Sequence, residues 1–396
     1  MPPEDKGQGD YRLIQDDVAL VAACRELAFG DYLAIDTEFV GERSYFPRLE
    51  LFQIRGGGLT YLIDVRAVRN EQPLRDLLAG SALKILHAGG QDLKIVNLRY
   101  GFVPEPVFDT QVAAALLGYG HQVGLTALVL SVLGKNAVSG QTVSDWSARP
   151  LDEDQLAYAA SDVEHLRPLQ LHLEGELLKR ERRDWFAEEQ AARQSSIRSP
   201  ATADRDLFLR VKGSNSLGRE DLAVLRELTA WREAEARRRD VPRGHVVRDD
   251  ALLDLTRIKP LDKTEASKSR RINPRFFESY RQELTGAIER ALALLPDQWP
   301  QRAGNDHPNL PAGLAELLKA VLRSCAARHD ISPAMIANSA DLQDLLVHRA
   351  DFSQCRSPLL TGWRHEIAGR DLVHLLEGKT AVRVGPDGGL SCGDLG

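Results

Sequence analysis

Strand-type patterning is confined to the first part of this chain, and that confinement restricts its fold more than any other property. Up to about Glu189, short aliphatic and β-branched runs are mixed with helical spacing; beyond it only helical spacing remains. Strands are predicted at Leu33–Asp36, Leu49–Arg55, Thr60–Asp64 and Leu83–His87. The stretch RGGGLT, Arg55 to Thr60, predicts a hairpin turn with glycines at positive φ. Helical spacing follows at Gln91–Arg99, Thr110–Leu117, Leu125–Leu133 and Asp152–Leu178. Strands followed by helices that cover them predict an α/β domain with a mixed sheet, spanning residues 1–195.

A chain of 396 residues exceeds what one core normally serves. The polar stretch QSSIRSPATADRD, Gln194 to Asp206, predicts a linker. After it, Leu222, Leu225, Leu228 and Trp231 fall at helical spacing and open a helical module over residues 206–295. The stretch PDQWPQRAGNDHPNLP separates this from a further helical module, 308–380, and the tail VGPDGGLSCGDLG is expected to fray. Direct residue matching shows no repeat, although the two helical modules have similar lengths and are compatible with one architecture. No apolar run approaches the length of about 18 residues that a membrane-spanning helix needs. The polar start MPPEDKGQGD lacks signal-peptide layout. Four scattered cysteines without CxxC spacing argue against a zinc ribbon or a disulfide scaffold and suit a reducing cytoplasm.

The chemistry begins in LAIDTEFV, Leu33 to Val40. Strand alternation turns Asp36 and Glu38 to the same face, at the end of an apolar strand. Two acids side by side near a core repel each other and lose hydration, so the pair calls for a cation. Asp92 sits where an apolar strand meets Gly89-Gly90 and a helix starts; taken alone, it is explained by the helix dipole. Asp109, in VFDT, suits a helix N-cap. Tyr158 and Asp162 stand four apart on a predicted helix and share a face, as an ordinary surface pair also would. Together, Asp36, Glu38, Asp92 and Asp162 offer four hard oxygen donors and no cysteine set, which selects Mg²⁺ or Mn²⁺ over zinc. The usual task of such a set is to hold two divalent ions roughly 3.5–4 Å apart around a phosphodiester. The net charge of −6 argues against a nonspecific nucleic-acid binder, although cations bound at one acidic site would offset it locally.

In this order, DTEF, HAGGQDL and YAASD resemble the three motifs of the DEDD exonucleases, and Tyr158, four residues before Asp162, resembles the tyrosine subgroup. The stretches ERSYFPRLELFQI, VFDTQVAAALLGY and SDWSARPLDEDQLAYAASDVEHL resemble ribonuclease D. LRELTAWREAEARRRDVPRGHVV resembles an HRDC domain, and SPLLTGWRHEIAGRDLVHLLEG resembles the second, HRDC-like segment of the same enzymes. The resemblance implies a ribonuclease H-like exonuclease domain with a mixed sheet, followed by two all-α HRDC-like domains. It implies metal binding by Asp36, Glu38, Asp92 and Asp162, with Tyr158 as a catalytic residue orienting the attacking water. A phenol with an ordinary pKa near 10 suits that orienting role better than that of a base. The implied activity is 3′→5′ hydrolysis of RNA ends, releasing nucleoside 5′-monophosphates, with tRNA precursors as partners and the cytoplasm as location. A DNA exonuclease with the same site, and a non-catalytic RNA-binding protein, are the rival readings.

Further residues carry two readings each. Thr37, Phe39, Trp146 and Arg149 are candidate substrate contacts: Phe39 as a wedge against the terminal base, Trp146 as the wall of the metal site, Arg149 on a phosphate. Core packing and a solvated guanidinium are the plain alternatives. His87 is expected to be a hydrogen-bonded structural residue. Arg237, Arg238, Arg239 and Arg243, with Lys268, Arg270 and Arg271, form either a solvated face or a track for a phosphate backbone. Many relatives carry a lysine seven residues before Trp146; this chain has Ser139 there and Lys135 four residues earlier.

Overall fold

Six short strands of the computed structural model form one sheet in the order β1-β4-β3-β2-β5-β6. They are β1 (Tyr11–Ile14), β2 (Tyr32–Val40), β3 (Arg48–Gly56), β4 (Leu59–Asp64), β5 (Leu83–Leu86) and β6 (Val107–Asp109). The sheet is mixed, as expected. β3 and β4 pair antiparallel, whereas β1–β4, β2–β5 and β5–β6 pair parallel. The structure describes residues 11–137, 145–198, 207–300, 312–386 and 389–394. Ser139 lies outside them, as do residues 199–206 of the expected linker. Gly57 and Gly58 take the positive φ values of +59° and +90° that the β3–β4 turn requires.

Helices cover both faces of this sheet. Leu33 and Ile35 of β2 pack with α1 (Asp17–Leu27), α2 (Gln72–Ala79) and α3 (Gly90–Tyr100). Ala34, which faces the other way, packs with Ile85 against Val163 and Leu166 of α6 (Glu153–Glu164) and α7 (Leu166–Lys179). Between these lie α4 (Thr110–Leu116) and α5 (Leu125–Leu133), and α8 (Arg183–Arg198) follows. The long helix expected from Asp152 is thus broken at His165. The first five residues of the expected linker, Gln194–Arg198, instead close α8, where Gln194 and Ile197 are buried. Among the described residues no helix is long and apolar enough to cross a membrane.

Contacts divide the chain into two units, with boundaries unlike those expected. One unit contains residues 1–39, 49–198 and 309–396; the other contains 40–48 and 199–308. The last helical module therefore shares a core with the sheet domain. Leu318, Val321 and Leu322 pack with Val112, Leu116, Leu173 and Phe186. Arg182 donates from Nη1 to the carbonyl of Leu116 and from Nη2 to that of His329, both at 2.6 Å. Trp185 stacks on Trp363 at 5.3 Å. The tail forms a two-stranded sheet, β7 (Thr380–Val384) with β8 (Leu390–Asp394), where fraying was expected.

In the second unit, helix Arg219–Arg239 packs along helix Arg281–Leu292, with Leu222, Leu225, Leu228, Leu284 and Ile288 in its core. The short segment between β2 and β3 belongs here. Tyr45 donates its hydroxyl to Glu233 at 2.9 Å, and Arg237 and Arg243 lie over its ring. The main-chain N–H groups of Tyr45 and Phe46 donate to Asp240 Oδ1, both at 3.1 Å. The basic stretches are largely neutralised within the unit, which favours the solvated-face reading. Arg238 pairs with Glu235, Arg243 with Glu233, and Arg271 with Asp254.

The two helical segments follow the same succession of elements. Helix Arg219–Arg239 is followed by Asp240 at φ +47°, a one-turn helix Arg243–Val246 and helix Asp249–Ile258. Helix Ala312–Arg328 is followed by Asp330 at φ +48°, a one-turn helix Pro333–Ile336 and helix Ser339–Val347. Val246, Leu252 and Leu255 are buried in the first, and Ile336, Leu342 and Leu345 in the second.

Candidate active site

Alternation along β2 decides which helix each acid meets. Asp36 and Glu38 share the face of Ala34, which looks toward α6. One turn of α6 then presents Tyr158 and Asp162 to them. Carboxylate oxygens of Asp36, Glu38 and Asp162 lie within 4.8 Å of one another. Thr37 points the other way, with Leu33 and Ile35, toward α3, where its hydroxyl donates to Asp92 Oδ1 at 2.5 Å. Asp92 thus arrives from the opposite side of the strand, close enough for its charge to act on both Asp36 and Glu38.

The turn that delivers Asp92 is held from outside the acid set. Asp109 caps α4 as expected, accepting from the N–H groups of Gln111 and Val112. It also accepts from Ala88 and Gly89, both at 3.0 Å, and so fixes the start of α3. Ala88 adopts φ +56°. A side chain on Gly89 would meet Leu86 at 2.6 Å, so only glycine lets strand and helix approach this closely. His87 faces Thr110 Oγ1 at 2.9 Å and the Val123 carbonyl at 3.0 Å, the structural role expected of it.

Enclosure dominates the electrostatics. Loss of hydration, then the charges of Asp92, Asp162 and Glu38, holds the Asp36 carboxyl well above the usual range. The same causes push Glu38 up to about 8, with Asp162 and Asp92 as the neighbouring charges. Burial raises Asp162 to about 7 against a hydrogen bond from the Tyr158 hydroxyl. It raises Asp92 too, against the bond from Thr37. Tyr158 is raised by burial and by Asp162, Glu38 and Asp36, so its phenol keeps its proton and donates it. Neutral donors only partly offset the crowding of four carboxylates, and all the donor atoms are hard oxygens. This set fits a divalent cation of the Mg²⁺ or Mn²⁺ type.

The remaining candidates separate into wall and scaffold. Trp146 is buried, with its ring 6.4 Å from that of Tyr158, and so backs the tyrosine. Phe39 is half-buried against the core beneath the sheet. Arg149 does not fit the expected phosphate contact, because each of its nitrogens is engaged. Nε and Nη2 donate to Asp64 at 2.7 and 2.9 Å, Nη1 donates to the carbonyls of Trp146 and Ala148, and Nη2 also reaches the Glu50 carbonyl. Glu50 and Asp64 are buried acids on β3 and β4 that the sequence reading passed over; an interior acid on a strand was the available signal. Arg149→Ala removes both guanidinium donors to Asp64, leaving the Arg66 N–H at 3.1 Å, and is expected to destabilise the fold by about 3 kcal/mol, read from denaturant midpoints. An unchanged midpoint would return Arg149 to the substrate contacts.

Residues 11–178 match the 3′-5′ exonuclease family model, and residues 221–288 match the HRDC domain model. Ribonuclease D of Zymomonas mobilis is 38% identical over 387 residues, covering 94% of this chain and 96% of that protein. Ribonuclease D of Acidiphilium cryptum is 36% identical over 381 residues, covering 93% of this chain and 94% of that protein. The crystal structure of Escherichia coli RNase D, described as an exoribonuclease involved in structured RNA processing, superposes with a TM-score of 0.80. It is 28% identical and covers 93% of this chain and 99% of that one.

Proposed function

The chain belongs to the ribonuclease D family of 3′→5′ exoribonucleases, and on that premise we propose that Asp36, Glu38, Asp92, Asp162 and Tyr158 carry the hydrolysis of terminal RNA phosphodiesters. The observation that carries the assignment is the convergence of Asp36, Glu38 and Asp162 within 4.8 Å from a strand and a helix more than a hundred residues apart in the chain.

Asp36, Glu38 and Asp162 would hold one divalent ion, and Asp36 with Asp92 a second. Such ions supply a lowered pKa for the attacking water and neutralise charge on the leaving 3′ oxygen. The chain's own groups do the positioning. Thr37 fixes the Asp92 carboxylate, and Asp162 accepts from Tyr158, aligning the phenol. With its proton retained, the phenol orients the water by a hydrogen bond rather than taking a proton from it. Trp146 stops the phenol ring from swinging away, whereas Phe39 packs on the face of β2 opposite Glu38, against the core, which favours the packing reading of that residue.

Tyr158→Phe keeps the ring and removes the hydroxyl. It is expected to lower kcat by about a hundredfold with little change in KM. Release of 5′-monophosphates from end-labelled RNA measures it, and unaltered kcat would remove the tyrosine from the mechanism.

We assign the substrates to RNAs with single-stranded 3′ tails, tRNA precursors among them. Family membership supports this, as does the description of the Escherichia coli enzyme as acting on structured RNA. The HRDC domain is read as a nucleic-acid-binding module. The segment from residue 312 onward is read as a second HRDC-like element, supported by its matching succession of helices. Four free cysteines support a cytoplasmic location. Matched RNA and DNA oligomers, together with a tRNA carrying a 3′ extension, test the substrate. Equal rates on DNA would favour the rival reading, since carboxylates and cations do not read the 2′-OH.

A further inference from the structure

A different set of ligating side chains lies far along the chain from the catalytic acids. Asp344 is near the end of helix Ser339–Val347, and His348 follows one turn later. A 3₁₀ turn at Phe352–Gln354 then brings Cys355 back beside them. One ligating atom from each of the three lies within 4.8 Å of the others, and all three side chains are half-buried.

Cys355 Sγ donates to Asp344 Oδ2 at 3.3 Å. His348 Nδ1 faces the Asp344 carbonyl at 2.9 Å and its Oδ1 at 3.1 Å. The N–H of Arg356 donates to the same oxygen, Asp344 Oδ2, at 2.7 Å and so fixes the carboxylate. Such hydrogen-bonded support of a ligating group is the usual second layer of a metal site. The fold does not need a thiol and an imidazole to hold this acid. In the matching helical succession, Asp254 lies at the corresponding place, where Ser269 and Arg271 hold it at 2.5 and 3.2 Å.

We propose that Asp344, His348 and Cys355 bind a zinc-class divalent cation, with a fourth position open to water. One carboxylate, one thiolate and one neutral imidazole balance a doubly charged ion. Sulfur, nitrogen and oxygen together select Zn²⁺, or Co²⁺ as its substitute, over Mg²⁺. The cation takes the place of the thiol proton, which leaves to solvent, and His348 ligates through Nδ1 as the neutral ring with its proton on Nε2. It ties the helix to the returning loop and stabilises this segment of the chain.

The test is Co²⁺ titration of the full chain followed in the near ultraviolet, where thiolate-to-cobalt charge transfer absorbs. Oxygen donors at the catalytic site produce no such band. The expected result is one band that saturates at a single equivalent, is displaced by Zn²⁺ and persists in Asp162→Asn. Cys355→Ser is expected to abolish it, and His348→Ala to weaken Co²⁺ binding at least about tenfold. Retained RNA hydrolysis by both variants shows that they are folded. Absence of the band from the unaltered chain, or its survival in Cys355→Ser, overturns the proposal.

Discussion

Asp162→Ala is expected to lower nucleotide release by roughly a thousandfold, the loss of several kcal/mol of transition-state stabilisation that the bound cations provide. Two contributions vanish together: one of the three oxygens gathered within 4.8 Å, and the acceptor that aligns Tyr158. RNA affinity is expected to persist, because the carboxylate repels phosphate and contributes no attraction of its own. A filter-binding assay beside a single-turnover assay separates the two effects. Near-normal turnover would end the assignment of the site. The same loss is expected of Asp36→Asn, since Asp36 is the acid that feels all three others.

The same crowding predicts an unusual pH dependence for the metal-free protein. Asp36, Glu38, Asp92 and Asp162 all have folded pKa values raised above those of the unfolded chain, with Glu38 near about 8 and Asp162 near about 7. Between the ordinary carboxylate range and those values the folded state binds more protons than the unfolded state. Stability contributed by these groups is therefore present at low pH and is lost as pH rises through about 7 to 8. In chelator, the midpoint of thermal unfolding is expected to fall between about pH 5 and about pH 8. Mg²⁺ or Mn²⁺ restores it, and restores more at the alkaline end, because cations compete with protons for the same oxygens. His87, whose pKa burial lowers, has the opposite slope at lower pH, so the comparison that isolates the acid cluster is with Asp36→Asn. That variant is expected to be more stable than the unaltered protein without metal, less responsive to metal, and inactive. A metal-free midpoint that rises toward alkaline pH in step with the variant would contradict the enclosure of these acids.

Local patterns carried much of the architecture. The four strands expected from alternation are present, and the glycine turn between β3 and β4 lies where the residues placed it. β1 and β6, four and three residues long, were passed over because so short a run shows no period of its own. The break at His165 did have a local signal: Pro168, in the first turn of α7, has no N–H for the Glu164 carbonyl, and its ring blocks continuation of α6. Arg149 illustrates a different limit. Its acidic partners, Asp64 and Glu50, are more than eighty residues away, and nothing near Arg149 in the chain distinguishes a buried brace from a phosphate ligand.

The amino-acid order alone determined the oxygen-only donor set, the shared face of Asp36 and Glu38, and the pairing of Tyr158 with Asp162. The donor set follows from residue type, and the two pairings from a repeat of two residues on a strand or of about four on a helix, neither of which depends on the rest of the molecule. Tertiary packing decided the rest: that Asp92 reaches the site from behind Thr37, that Asp109 fixes its turn, and that residues 309–396 share a core with the sheet domain. Those outcomes depend on contacts between residues far apart along the chain. Such contacts are settled by which apolar faces bury each other, and no local spacing encodes that choice.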